Sequence, residues 1–397
     1  YKIFDKAKKV YQLKEALVNY RQHSKSMSST TRGTKEYWNY RLDLMLKVLT
    51  FVFDKYDISK FICRVTLNSE LFKVKKHVPD SYYKKIYNCN KKKIEHILKD
   101  DYECDFDVDL VVPFVDNRDK VWQKVYVDYT HSFSYENNSR FDNPGLFEFF
   151  LRGVDKFMPW VRKIHLIVAN IEQVPTYINK EKTHIVLHKD IIPEKYLPTF
   201  NSSTIEMFIA NVEGLSEHFI YANDDMYPIR EMNKTDFFSE DGKPKIVFKR
   251  NYISDDISFF GNLCLNVYKH TAEVFNYPFD GKSYLRPEHT LASFRRSHCL
   301  ECVKKMWHYI EQDLGAFRTT RQHTQYMYAL YEKFSNGYAF GGPFFKYHGL
   351  GEDHETVVQE LKYQACQILC LNGVPDNAIS KEHLDEIVSL LKENLGL

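Results

Sequence analysis

Two stretches decide the fold: Asp109-Leu-Val-Val-Pro-Phe-Val115 and, further along the chain, Phe219-Ile-Tyr-Ala-Asn-Asp-Asp225. Each opens as a short apolar run rich in β-branched or aromatic residues. A run of this length without polar alternation reads as a strand buried on both faces. The first stops at Asp116 and the second runs directly into Asn223-Asp224-Asp225. Two more such runs lie between them, Lys163-Ile-His-Leu-Ile-Val-Ala169 and Thr183-His-Ile-Val-Leu-His188. Helical patterns separate them. Asn143-Pro144-Gly145 is expected to open one helix, with Asn as cap and Pro in the first turn. Leu146, Phe149, Phe150, Gly153, Val154 and Phe157 then follow at the spacing of one helical face. A second helix is predicted from about Ser203 to Val212, stopped by Gly214. Strand, helix, strand, strand, helix, strand describes an α/β domain with a mostly parallel sheet flanked by helices. Ligands of such sheets bind beyond the carboxyl ends of the strands, where Asp116 and the Asn-Asp-Asp cluster both fall.

Outward from this core the texture changes. Residues 1–103 read as a basic helical region, with helical patterns at Lys6–Val18, Tyr37–Phe53 and Lys91–Leu98. Residues 1–100 carry 23 Lys+Arg against 10 Asp+Glu, whereas the remainder carries 32 against 43. A basic segment joined to an acidic body is expected to meet something anionic, such as a phosphate-bearing polymer or lipid headgroups. Residues 104–335 form the expected catalytic core. Residues 336–397, a Gly-rich stretch followed by helices, complete it. Beyond residue 250 the pattern reads as mostly helical, including Glu288–Glu311 and Thr320–Phe334, with a lid or surface loop over Gly337–Gly351 and a helix at Lys381–Leu391.

Composition narrows the class. With 397 residues, 44% apolar and 27% charged, the chain is long enough for two or three structural units. These fractions exclude a disordered, collagen-like or coiled-coil protein. No window is apolar enough to span a bilayer, and the first residues lack the pattern of a secretory signal. Eight cysteines are too sparse for a disulfide framework. Cys299-Leu-Glu-Cys302 has the spacing of a metal knuckle, and equally of one helix face carrying buried thiols. The expected setting is reducing and cytoplasmic, peripheral on the inner face of the cell membrane. Aromatic residues make up 15% of the chain and suit core packing, sugar stacking or base stacking alike.

Several residues carry candidate chemistry. Asp224 and Asp225 follow a buried strand, and hard carboxylate oxygens suit Mg²⁺ or Mn²⁺ held against a diphosphate. Ser203-Thr-Ile-Glu206 has the form of a capping box, and the helix start at Asn201, Ser202 and Ser203 offers amides suited to phosphate. His289 follows Arg286-Pro287, and Arg318 and Arg321 lie further on; a His and an Arg converging on a phosphoryl group supply a base and a charge clamp.

Asp109 to Trp122 resembles the first conserved block of the Stealth family, which comprises capsular polysaccharide phosphotransferases and the lysosomal-enzyme GlcNAc-1-phosphotransferase. The second block is closer still. It runs through Arg140-Phe141, Leu151-Arg152, Pro159–Ile164, His188-Lys-Asp190, Leu197–Ser202, Ile205-Glu206, Gly214–Tyr221 and Asn223-Asp-Asp-Met226. His289 with Phe317-Arg318 resembles a third block, and Cys370-Leu-Asn372 a fourth. The chain departs from the family pattern at Leu146, Asn143, Asn117-Arg118 and Gly373. The resemblance implies a Rossmann-like or GT-A-like core that transfers a sugar-1-phosphate, GlcNAc-1-phosphate on family grounds, from a UDP-sugar to a sugar hydroxyl with release of UMP. Position by position it makes Glu206, Asp225, His289 and Arg318 the functional residues, with either His289 or Asp225 as base. Asp116, Arg140, Asn201, Ser202 and Asn223 are the expected donor contacts, and Asp225 with Asp224 the metal ligands. The expected partners are the UDP-sugar, a growing anionic polysaccharide, and the membrane or capsule export machinery; no nucleic acid is expected. Two rivals stay open, a metal-dependent glycosyltransferase releasing UDP and a non-catalytic polysaccharide-binding protein.

Overall fold

The computed structural model describes residues 34–55, 60–133, 141, 144–351, 353–373 and 379–397. The chain divides into two units, Tyr1–Asp101 and Tyr102–Leu397. In the first, helices α1 (Lys35–Lys55), α2 (Lys60–His77) and α3 (Asp80–Leu98) bury apolar residues three or four positions apart. Leu42, Leu46 and Leu49 meet Cys63, Leu67, Leu71 and Val74, with Ile94 and Ile97. The buried Glu70 takes a two-pronged ion pair from Arg41, at 2.6 and 2.9 Å. The predicted Lys6–Val18 helix lies outside the described residues.

The second unit holds the α/β core. Its order is β1 (Val108–Pro113), α4 (Lys120–Thr130), α5 (Phe147–Phe157), β2 (Ile164–Val168), β3 (Thr183–Leu187), α6 (His188–Ile191), α7 (Ser202–Glu206), β4 (His218–Tyr221), β5 (Met226–Pro228), α8 (Lys234–Phe237), β6 (Lys245–Ile246) and β7 (Phe248–Tyr252). There follow α9 (Phe259–Val274), β8 (Ser283–Pro287), β9 (Ala292–Arg295), α10 (Arg296–Ile310), α11 (Tyr326–Phe334), β10 (Ala339–Phe340), β11 (Phe345–Leu350), α12 (His354–Tyr363), β12 (Ile368–Gly373) and α13 (Lys381–Leu395).

The main sheet has the order β3-β2-β1-β4-β9, parallel except for β9, which runs against β4. Both faces are covered, so successive strand residues enter different cores. Val108, Leu110 and Val112 pack with α5, α13 and β12, whereas Val111 packs on the other side with residues of α9, α10 and α11. This two-sided burial is why the strands read as continuous apolar runs. Gly153 is where α5 crosses β5: a Cβ there would stand 2.6 Å from the Pro228 carbonyl oxygen. Among the described residues, no helix is long and apolar enough to cross a membrane.

Four expectations are corrected. Helix α5 begins at Phe147 rather than at Pro144, with Leu146 as its cap, and Asn143 lies outside the described residues. The predicted Ser203–Val212 helix is the short α7 followed by a 3-10 turn at Ile209–Asn211. Beyond residue 250 the chain forms α9 but also the end of β7, β8 and β9 before α10 begins at Arg296, and β9 occupies part of the predicted Glu288–Glu311 helix. The Gly-rich stretch is neither lid nor loop throughout, because β11 pairs in parallel with β12 along its length. Cys299 and Cys302 are buried on α10, and none of the eight cysteines is in a disulfide.

At the opposite end of the strands from the Asp-Asp cluster, Asp109 is fully buried. Its carboxylate accepts from Arg162 at 2.9 and 2.6 Å, from His165 at 3.0 Å and from the Ser216 amide at 2.8 Å. Burial pushes the Asp109 carboxyl up, but His165, Arg162 and Ser216 outweigh it and hold the group well below the usual carboxylate range. The stability this adds is complete above the unfolded carboxylate pKa and drains as pH falls below about 4. Asp109→Asn is expected to lower unfolding free energy by about 3 kcal/mol and to flatten the acid limb of a stability-versus-pH profile measured by chemical denaturation.

Candidate active site

Strand β1 lies between β2 and β4, so the chain departs to opposite sides of it and leaves a crevice beyond the carboxyl ends. A cavity of about 1310 Å³ occupies that position, lined by Pro113 and Phe114 after β1 and by Asn223, Asp224 and Asp225 after β4.

Antiparallel pairing carries distant residues to the same place. Ala292 of β9 sits opposite Tyr221 of β4, which brings the preceding turn, with His289, beside the residues that follow Tyr221. His289 Nε2 lies 3.7 Å from Asp225 Oδ2, close enough to attract but too long for a hydrogen bond. Strand β12 runs against β5 with Cys370 opposite Met226. Asn372 Nδ2 therefore donates to Asp225 Oδ2 at 2.7 Å, and the Leu371 amide donates to the Asp225 carbonyl at 2.9 Å. His289 Nδ1 faces the Tyr326 hydroxyl at 3.4 Å.

Burial pushes the Asp225 carboxyl up, but the neighbouring His289 and the Asn372 side chain outweigh it and hold the group below the usual carboxylate range. Its neighbour Asp224 goes the other way, pushed up to about 7 by burial and by the charge of Asp225. Two adjacent half-buried carboxylates thus resist ionising together. Asp225 Oδ1 and His289 Nε2 are both buried without a hydrogen-bond partner. One ligand atom each from Asp225, His289 and Cys370 lies within 4.8 Å of the others. An unsatisfied carboxylate oxygen beside a second carboxylate fits a divalent cation. The carboxylate oxygens are the hard donors that Mg²⁺ and Mn²⁺ take, whereas the imidazole and thiol beside them are softer than either ion favours.

Glu206 is not a capping residue. Asn201 caps α7, its side chain accepting from the Ser203 amide at 3.1 Å, and Glu206 ends the helix. Its carboxylate accepts from the Tyr221 hydroxyl at 3.1 Å and the Gln325 amide at 2.7 Å. Burial raises its pKa, and the Gln325 amide, Arg318 and Tyr221 only partly oppose that. Arg318 and His289 both act electrostatically on Glu206, so the three share one neighbourhood. Arg318 bonds the Ser202 hydroxyl at the start of α7. Its loop is held by Gln322, whose side chain accepts from the Asn201 side chain at 2.9 Å and donates to the Phe317 carbonyl at 3.0 Å.

The cavity is thus lined by Glu206, Asp224, Asp225, His289 and Arg318, and by Asn201, Ser202 and Asn223. Asn201 spends its side chain on the Arg318 loop. Asp116 is not among the lining residues: its carboxylate is gripped by Arg118 at 2.8 and 2.6 Å, and Asn117 lines the wall beside it. Arg140 lies outside the described residues. Sequence reasoning gave no role to Lys249, Arg286 or Tyr326, all of which line the cavity. Arg286 Nε is buried without a hydrogen-bond partner, and its guanidinium lies 5.7 Å from the Phe260 ring centre. Its only sequence signal was its place three residues before His289.

Comparison with known proteins shows what the chain is similar to. A family model described as Stealth protein CR2, conserved region 2, matches residues 140–246. That span contains α7, Glu206 and the Asp-Asp cluster but neither His289 nor Arg318. An exopolysaccharide phosphotransferase of Lactiplantibacillus plantarum is 31% identical over 319 residues, covering 72% of this chain and 92% of the relative. A capsular polysaccharide phosphotransferase of Streptococcus pneumoniae is 30% identical over 326 residues, covering 72% and 97%. A receptor polysaccharide phosphotransferase of Streptococcus oralis is 30% identical over 303 residues, covering 67% and 90%.

A lining guanidinium with an unsatisfied buried Nε is suited to a polyanion. Arg286→Gln is expected to weaken inorganic pyrophosphate binding about tenfold, roughly 1.4 kcal/mol, in calorimetric titration. The unfolding midpoint should stay at the wild-type value.

Proposed function

The chain belongs to the Stealth family of capsular polysaccharide phosphotransferases, and from that premise we propose that it transfers GlcNAc-1-phosphate from UDP-GlcNAc to a sugar hydroxyl. The product is a phosphodiester-linked polysaccharide, and UMP is released. The approach of His289 to Asp225 inside the cavity, at 3.7 Å, carries this reading.

In the proposed reaction the acceptor hydroxyl oxygen forms a bond to the β-phosphorus of the donor. The bond from that phosphorus to the bridging oxygen breaks, and UMP leaves with the oxygen. His289 Nε2, buried and without a hydrogen-bond partner, takes the hydroxyl proton, with the Asp225 carboxylate 3.7 Å away. Arg318 and the Ser202 hydroxyl stabilise charge on the phosphoryl oxygens, an interaction worth most at the transition state. Arg286 and Lys249 add positive charge to the same cavity. Glu206, fastened to the Gln325 amide, fixes the Arg318 side of the pocket. Asp225 and Asp224 are the proposed ligands for Mn²⁺ or Mg²⁺, which supplies charge neutralisation at the diphosphate. The exposed lysines of α3, Lys85, Lys91 and Lys92 among them, are the proposed contact for the anionic polymer, an attraction that should weaken with salt.

Nucleotide analysis separates this reaction from glycosyl transfer. Incubation with UDP-GlcNAc, a saccharide acceptor and Mn²⁺ is expected to yield UMP; release of UDP overturns phosphotransfer in favour of sugar transfer alone. His289→Ala and Arg318→Ala are each expected to cut turnover by about 100-fold or more with unchanged circular dichroism. A near-wild-type rate in either removes that residue from the reaction.

A further inference from the structure

The cavity wall next to Arg318 continues outward as an aromatic ledge that no step of the reaction uses. Phe200 and Phe317 both line the cavity. Their rings stack with centres 5.7 Å apart and planes 19° from parallel. Phe317 remains 40% exposed, so its ring is open to solvent although Trp122 and Tyr126 nearby are buried. Tyr129 on α4, 51% exposed, stands 6.1 Å from Phe317 at 51°, closing the ledge into a shallow corner. Beneath them Trp122 and Tyr126 are buried, and both touch Phe200 edge-on, at 5.5 and 4.7 Å. The exposed rings therefore rest on a packed aromatic base. The Phe317 carbonyl is tied to Gln322 at 3.0 Å, and the Ala316 carbonyl to the Phe200 amide at 3.0 Å.

A contiguous exposed aromatic surface rimming a cavity marks a place where a partner or ligand binds. Its position says what. Phe317 immediately precedes Arg318, which bonds Ser202 at the cavity floor. A guanidinium followed by an open ring matches the order of groups in a sugar-phosphate chain, with the anion on the cation and the flat apolar face of the pyranose on the ring. We propose that Phe317 and Tyr129, backed by Phe200, form a saccharide subsite that binds a sugar of the acceptor chain adjacent to the reacting hydroxyl. This deepens the phosphotransfer reading and rests on it for the identity of the occupant. The competing occupant of an aromatic wall is the uracil ring of the donor, and the test separates the two.

The full chain is titrated with tetrasaccharides of β-linked GlcNAc, glucose and galactose, followed by saturation-transfer NMR, and separately with UMP by calorimetry. Wild-type protein is expected to bind at least one tetrasaccharide. Phe317→Ala should weaken that binding about tenfold and Tyr129→Ala severalfold, Phe317→Trp should preserve it, and UMP affinity should remain within twofold throughout. The subsite is overturned if wild-type protein binds none of the three, if Phe317→Ala leaves binding unchanged, or if UMP is weakened in parallel. Loss of tetrasaccharide binding in Phe317→Ala, in a protein that releases no UMP from UDP-GlcNAc, keeps the saccharide subsite and refutes phosphotransfer instead.

Discussion

Strand β9 runs against β4 with Ala292 opposite Tyr221, and this one antiparallel pairing in an otherwise parallel sheet is what assembles the site. A parallel neighbour would present its amino end at the opposite edge of the sheet from the Asp-Asp cluster. The reversed strand brings its amino end, and the turn that bears His289, to the carboxyl end of β4. The same device recurs beside it, where β12 runs against β5 and delivers Asn372 to Asp225. Both partners of Asp225 are thus positioned by sheet register rather than by flexible loops, and register in a buried sheet is strongly specified. Glu206 and Arg318 reach the same cavity by another route, through the short α7 and a loop knitted to it by Asn201 and Gln322.

Much of this was legible in the residues, and the rest was hidden for physical reasons. Strands β1, β2 and β4 announced themselves because both their faces are buried, and the edge strand β3, only partly buried, by its short apolar run. Strands β7 and β8 did not, because they form a separate antiparallel pair that leaves Lys249, Arg250 and Tyr252 exposed. Ser203-x-x-Glu206 satisfied the capping pattern locally, yet Tyr221 and the Gln325 amide claimed the carboxylate. Tertiary partners of that kind leave no trace in local spacing. The candidate site residues themselves came from family blocks, not from periodicity. Arg286 and Tyr326, outside those blocks, became visible only when the cavity was assembled.

The site is costly to build. Glu206 is buried and Asp224 and Asp225 are half-buried, and burial disfavours the charge on each. The protein offsets this unequally. Glu206 receives a backbone amide and a phenol, Asp225 an amide side chain and an imidazole, and Asp224 is left with its pKa near 7. On the proposed reading, the compensated groups are those whose geometry must hold before substrate arrives. The uncompensated one marks where positive charge is still wanted.

Charge balance also ties cation and donor together on the proposed reading. Arg286, Arg318 and Lys249 face into a cavity that already contains Glu206, Asp224 and Asp225. A diphosphate entering alone would meet the Asp224–Asp225 pair as a repulsive wall. A divalent cation entering alone would satisfy that pair but leave the two guanidinium groups and the lysine without an anion. Entering together, each completes the side that the other leaves unbalanced, so cation and nucleotide-sugar should bind with positive coupling, each raising the other's affinity by the same factor. That reciprocity follows from the placement of six ionisable side chains in one pocket.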